Sequence, residues 1–298
     1  MIEGQPSQTA YMVAVNRAFH YHTAKDPKIL HDSLALPLSG AGTTEALQAF
    51  MDGLTARFTE LSDAETARVF LHRIVASVCM RSRVVEEYLA ASRARDMRQL
   101  VVLGAGLDST AYRCTALTDG MDVFEVDHPA TQIWKRERLE AANIDIPDNL
   151  KFVSFDFENQ TLAEALAAGG VDTNAMTFFS WLGVHMYLTD ETVKATLGVL
   201  GAYPEGSEMV MDFISPDYDQ QDGFVENSVD YLTKVVMEMG EPIKSRYHEP
   251  ELESILKAAG FSTVEYLNAR TLKDRYLDGI DAAYDLPDKA TSILTARI

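Results

Sequence analysis

Between residues 98 and 215 one unit recurs: a short apolar run, then a stretch of helical length. QLVVLGAG, MDVFEVD, LKFVSFD, AMTFFSWL and SEMVMDFI each read as a strand rich in Val and Phe. Helical stretches fall between them at about 109–117, 129–142, 161–168 and 190–200. Strands alternating with helices predict an α/β fold with a doubly wound, mostly parallel sheet. FSTVEYL and SILTARI follow later and bring the expected strands to seven.

The flanking segments break this rhythm. Residues 62–94 predict one long helix whose apolar stripe runs through Phe70, Leu71, Ile74, Val75, Val78, Val85 and Leu89. Residues 1–60 are mixed and predict short helices. The chain is therefore expected to divide into an N-terminal helical extension, 1–95, and a core, 96–298. Within the core, about 215–248 reads as a helical lid insertion. It opens on the polar loop SPDYDQQDGF and carries Tyr218, Phe224, Tyr231 and Met237. ELESILKAAG then predicts a helix ending at Gly260.

Charge narrows the partners. The 298 residues carry a formal net charge of −19 at pH 7. A surface of that sign argues against nucleic acid and against anionic membranes. The two cysteines, Cys79 and Cys114, cannot build a disulfide framework. No apolar run reaches the length of a membrane span, and the N-terminus lacks the pattern of a secretion signal, so a cytoplasmic location is expected.

In a doubly wound sheet, ligands bind at the carboxyl ends of the strands, where strand order reverses. Gly104 and Gly106 close the first strand and permit a tight turn with close backbone approach. Asp127 ends the second strand, 127 − 106 = 21 residues beyond the turn, the offset of an acid that bonds ribose hydroxyls. Its alternative role is to cap the following helix, with Pro129 in the first turn. Asp108 and Ser109 stand where a dinucleotide fingerprint wants a third glycine and a helix end open to pyrophosphate. A carboxylate there disfavours phosphate and suits a cationic ligand. S-adenosylmethionine carries a ribose, a sulfonium and an ammonium, and no phosphate. Asp156 and Phe157, after the third strand, are candidates for the adenine amino group and ring face, or else a cap and a core aromatic. Arg81 flanks the apolar stripe with no acid at i+3 or i+4. Either the ligand's carboxylate or an acid elsewhere in the fold must partner it.

RAFHYHTAKDP, RSRVVEEYL, LVVLGAGLDSTAYR, VFEVDHPATQIWK, FVSFDFEN and FFSWLGVHMYLTDE together resemble the leucine carboxyl methyltransferase-like family, which includes polyketide O-methyltransferases. The resemblance implies a Rossmann-like class I methyltransferase fold and S-adenosylmethionine as donor. It implies that Arg81 holds the donor carboxylate, that Gly104 lies beside the methionine moiety, and that Asp127 holds the ribose. Members that methylate a protein's terminal leucine tend to carry an acid after the fourth strand, where this chain has Leu182. That departure points towards small-molecule acceptors, with secondary metabolism as the implied setting.

Trp181, His185 and Tyr187 follow the fourth strand, next to the expected methyl group. His185 and Tyr187 are the catalytic candidates, His185 as a base for a phenol; the alternative is that they are core or surface residues. Methyl transfer is a direct displacement, and alignment supplies most of its catalysis. A carboxylate acceptor needs no base, whereas a phenol gains from one. His20 and His22 lie on a helical stretch and diverge, so no catalytic metal is expected. Three other readings stay open: a protein C-terminal carboxyl methyltransferase, a nicotinamide-dependent oxidoreductase, and a donor-binding protein without catalysis.

Overall fold

The computed structural model describes residues 4–59, 63–156, 160–217, 233–286 and 292–298. Phe157, Tyr218, Phe224 and Tyr231 lie outside them. Four helices precede the sheet: α1 (Gln8–Thr23), α2 (Ala35–Ser39), α3 (Thr44–Thr59) and α4 (Ala64–Arg93). Ser7 starts α1 by accepting from Ala10 N–H, and Asp63 starts α4 by accepting from Thr66 N–H. Such caps satisfy backbone donors that a helix start leaves unpaired.

The alternation follows as expected: β1 (Gln99–Leu103), α5 (Thr110–Arg113), α6 (Thr115–Thr118), β2 (Asp122–Asp127), α7 (Pro129–Ala141), β3 (Leu150–Ser154), α8 (Leu162–Ala168), β4 (Thr177–Trp181), α9 (Asp190–Leu200) and β5 (Glu208–Phe213). A single 3₁₀ turn, His185–Tyr187, lies between β4 and α9. Then come α10 (Glu249–Ala259), β6 (Thr263–Leu267), α11 (Ala269–Tyr276) and β7 (Ser292–Arg297). Within the predicted lid, residues 233–238 are helical.

The seven strands stand in the order β3-β2-β1-β4-β5-β7-β6. All pair in parallel except β7, which runs antiparallel to both β5 and β6. The chain leaves β1 towards β2 and β3, then returns to place β4 on the other side of β1. The order therefore reverses between β1 and β4. Central strands are buried on both faces, as a parallel sheet covered by helices requires. Leu100 and Val102 of β1 join one core, while Val101 and Leu103 join the other.

The first core continues without a break from Val15 and Leu38 through Val75 and Val84 to Leu100, Val123 and Val210. Helices α1–α4 thus share one core with the sheet. Each fully buried Val, Leu or Phe contributes roughly 1.5–3 kcal/mol of transfer free energy, so this shared core fixes the extension to the strands. The helix α4 crosses β4 and β5 and carries Arg81 to the strand ends. Among the described residues, no helix is long and apolar enough to cross a membrane.

Candidate functional site

The turn after β1 is held in a shape only glycine adopts easily. Gly104 and Gly106 have φ of +64° and +47°, in the left-handed region. A Cβ on Gly104 would stand 2.2 Å from Val184 Cγ2, and one on Gly106 would stand 3.0 Å from Ala10 Cβ. The turn is thus enclosed between the segment after β4 and helix α1. Gly104 N–H donates to Val126 O at 2.8 Å, and Asp108 N–H closes the turn onto Ala105 O at 2.7 Å.

Asp127, at the end of β2, binds the turn directly. Its Oδ2 accepts from Gly106 N–H at 2.5 Å and its Oδ1 from His128 N–H at 2.6 Å. The carboxylate is half-buried. Burial pushes its pKa above the ordinary value, and the two backbone donors only partly offset that. Each oxygen keeps a second lone pair for a ligand hydroxyl. The cap on α7 comes instead from His128, whose Nδ1 accepts from Ala130 N–H. Phe155 N–H donates to Asp127 O at 2.9 Å, so Asp156 leaves β3 alongside Asp127, half-buried.

Arg81 comes to the same end of the sheet. Its Nη1 donates to Asp212 Oδ2 at 2.7 Å, and the other oxygen of Asp212 accepts from Gly183 N–H at 2.7 Å. Asp212 is fully buried near the end of β5. A Cβ on Gly183 would stand 2.8 Å from Arg81 Nη2, so the guanidinium lies flat on that glycine. The acid elsewhere in the fold that Arg81 needs is therefore Asp212. This pairing engages Nη1, while Nη2 lies against Gly183. In the sequence Asp212 is one of two acids in the apolar strand SEMVMDFI, the other being Glu208 at its start.

Asp108 bonds the backbone two residues on, one position before the N-cap Ser109 of α5. Its Oδ1 accepts from Thr110 N–H at 2.8 Å and its Oδ2 lies 3.7 Å from Arg17 Nη1. Burial alone would raise its pKa, but Arg17, Lys135 and the Thr110 N–H outweigh burial and hold it below the ordinary value. An ionised acid therefore stands on the turn.

The two catalytic candidates part company. His185 faces the core and not the crevice: its side chain is fully buried between the rings of Trp181 and Tyr247. Among the described residues, neither ring nitrogen has a hydrogen-bond partner. Burial lowers its pKa to about 4, and the charge of Asp212 opposes that only in part. The 3₁₀ turn rotates His185 inward, so it is not placed to act as a base. Tyr187, two residues on, is half-buried at the sheet end. Burial and the nearby charge of Glu241 raise its pKa to about 12, while Arg81 and a hydrogen bond with Thr9 pull the other way. Thr9 also donates to Glu241 Oε2. Glu241 is almost fully buried and has no cationic partner among the described residues. The start of α1 and residue 241 of the predicted lid thus meet beside Tyr187.

His20 and His22 do diverge: His20 is buried and its Nε2 accepts from Ile29 N–H at 3.0 Å, while His22 is exposed. Among the described residues no group of three or more His, Cys, Asp or Glu side chains could hold a metal ion.

Direct contacts therefore run in one arc: Arg81 on Gly183, Val184 on Gly104, Gly106 on Asp127, and Asp127 beside the start of the Asp156 loop. The arc spans the carboxyl ends of β4, β1, β2 and β3, centred on the β1–β4 reversal.

Known proteins share this frame. The chain is 37% identical over 180 residues to a Bacillus subtilis protein named "Putative S-adenosyl-L-methionine-dependent methyltransferase YktD", a match covering 60% of this chain and 59% of that one. A Mycolicibacterium paratuberculosis protein of the same general name is 28% identical over 284 residues, covering 93% of this chain and 88% of that one. In three dimensions, a "putative methyltransferase" from Thermobifida fusca aligns at TM-score 0.55 with 16% identity, over 99% of this chain and 96% of its own. A Streptomyces avermitilis protein of the DUF574 family aligns at 0.54 with 13% identity, over 96% of both chains. These two likenesses establish the seven-stranded Rossmann-like fold. The model of the family described as "Leucine carboxyl methyltransferase" matches residues 10–201, which run from α1 to the end of α9 and contain every member of the arc. The chain belongs to the leucine carboxyl methyltransferase family.

Proposed function

We propose that this protein is an S-adenosylmethionine-dependent O-methyltransferase acting on a small-molecule acceptor. The observation that carries the reading is the arc from Arg81 to Asp156 at the strand-order reversal. The residues fit this donor. The turn has no Cβ at Gly104 or Gly106, which lets Val184 and Ala10 close on its backbone and hold the tight shape at the strand ends. Asp127 offers lone pairs to a ribose diol, and Arg81 keeps Nη2 for a carboxylate. Asp108, ionised on the turn, opposes a pyrophosphate and so argues against a nicotinamide dinucleotide. Relatives named as S-adenosyl-L-methionine-dependent methyltransferases support the donor assignment.

Bound there, the donor supplies an electrophilic methyl on a sulfonium, transferred to the acceptor oxygen by in-line displacement. The chain's part is to align and to exclude water. Arg81 fixes the methionine end and Asp127 the ribose end. The clasp of Thr9, Tyr187 and Glu241 covers the side where the acceptor would sit. Glu241 favours a hydroxyl over a carboxylate acceptor. A phenol or alcohol can donate a hydrogen bond to this buried carboxyl group, which an acceptor carboxylate cannot do.

Calorimetric titration with S-adenosylhomocysteine and with NAD tests the donor. Binding of the first without the second is expected; the reverse overturns the reading. Methyl turnover on matched hydroxyl and carboxylate acceptors of one skeleton tests the acceptor, with the hydroxyl member expected to react faster. Methyl turnover on any acceptor separates an enzyme from a donor-binding protein without catalysis.

A further inference from the structure

The polar groups beneath the donor turn are not needed to hold α1 in place. Ala14, Val15, Ala18 and Phe19 already bury its apolar side. Yet Arg17, in the middle of that helix, is itself almost fully buried and reaches across to the turn. Its Nη2 donates to Leu107 O at 2.5 Å. Its Nε lies 3.4 Å from Asp32 Oδ2, and its Nη1 lies 3.7 Å from Asp108 Oδ2. Asp32, fully buried ahead of α2, holds the exit of the same turn. Its Oδ2 accepts from Ser109 Oγ at 2.7 Å, and its Oδ1 lies 3.5 Å from Arg113 Nε.

Burying an ion pair seldom adds net stability over apolar packing of the same volume. What it adds here is geometry. The turn runs through two left-handed glycines, and glycine has the widest freedom of any residue to leave such a shape. Asp108 N–H bonds to Ala105 O inside the turn. The guanidinium fixes the Leu107 carbonyl from outside, and Asp32 fixes Ser109. A second contact points the same way: Ala10, nearly two turns before Arg17 on α1, packs against Gly106.

We propose that Arg17 and Asp32 are positioning residues for the donor turn, making helix α1 a wall of the donor site. This rests on the donor reading above. Neither residue touches the donor in this account; both act through the Leu107 carbonyl and Ser109.

Two variants test it. Arg17→Lys keeps the charge and the stem but loses the fork that reaches Leu107 O. Arg17→Gln with Asp32→Asn removes both charges together. The readouts are S-adenosylhomocysteine affinity of the folded protein, thermal midpoint, and amide exchange without ligand. At least tenfold weaker binding is expected in both, with faster exchange at 104–109 and unchanged exchange in β4 and β5. A residue that merely stabilises the fold would lower the midpoint and leave affinity alone; affinity within threefold of wild type overturns the proposal. If neither variant folds, wild-type exchange decides. The ligand is expected to slow amides 14–20 together with 104–109, and no change at 14–20 overturns the assignment. A wild type that binds no S-adenosylhomocysteine refutes the donor reading itself and this proposal with it, a result distinct from variants that bind normally.

Discussion

Replacing His185 by Phe separates a core residue from a base. The wild-type ring is fully buried, with both nitrogens unpartnered among the described residues. An unmade hydrogen bond of a buried group costs about 1–3 kcal/mol. Phe removes both polar atoms and adds little volume, at an overpacking cost of similar size. At pH 7.5 the variant should therefore be about as stable as wild type. Acid changes the comparison. Folded His185 has a pKa of about 4, whereas the unfolded residue titrates at the ordinary 6.5. Above pH 6.5 both states are neutral and the charge has no effect. As pH falls below 6.5 the unfolded state takes up a proton that the folded state refuses, so wild-type stability declines down to about pH 4. At pH 5.0 this loss comes to about 2 kcal/mol, from 1.36 kcal/mol per pH unit. Phe cannot titrate, so the variant's advantage should grow by about 2 kcal/mol from pH 7.5 to 5.0, while the other titrating groups cancel in the difference. Urea unfolding followed by circular dichroism across that range measures it. A constant difference would mean that His185 accepts a proton in the folded protein, and the core placement would be wrong. Affinity for S-adenosylhomocysteine should stay within threefold of wild type.

Asp127→Ala should weaken S-adenosylhomocysteine binding by about 5- to 150-fold, the equivalent of one unmade hydrogen bond of 1–3 kcal/mol; a loss below threefold in titration calorimetry would leave Asp127 only its contacts with Gly106 and His128. Arg81→Met strands Asp212 in the core, and should cost about 3 kcal/mol of stability as well as donor affinity. Adding Asp212→Asn should restore the thermal midpoint but not the affinity, and recovery of both would make Arg81 purely structural. Glu241→Gln should slow turnover of a hydroxyl acceptor at least tenfold and improve acceptance of the matched carboxylate, read as kcat/KM for each; equal effects on both would remove Glu241 from acceptor choice.

The legible parts of this protein are those written in short-range spacing. A strand, a turn and the next strand lie within about thirty residues, so the glycine turn and the acid at its 21-residue offset can be read directly. The hydrogen bond from Gly106 to Asp127 is the physical form of that offset. The long helix was equally plain, because its stripe repeats over 30 residues. The missed residues have partners far along the chain. Arg81 and Asp212 are 131 residues apart, Thr9 and Glu241 are 232 apart, and Asp32 and Ser109 are 77 apart. No local pattern encodes such pairs; an acid inside an apolar strand, as Asp212 is in β5, is the one local sign of such a pair. The inward side chain of His185 is illegible for a different reason. Reading a residue as facing the crevice because it follows a strand assumes an extended exit, and a 3₁₀ turn rotates the side chain towards the core instead.

One feature of the sheet bears on how the protein is made. The strand β7 comes later in the chain than β6 yet lies between β6 and β5. During synthesis β1–β5 can pair in the order in which they need each other, but β6 has no neighbour to bond until β7 emerges. Until then β5 presents an open edge to solvent, and Thr263–Leu267 waits on a tether. The nascent chain thus carries an adhesive edge, which is sealed only when Ser292–Arg297 pairs with β5 and β6. Destabilising changes in β7 should therefore lower soluble yield more than equal changes in β3 at the opposite margin.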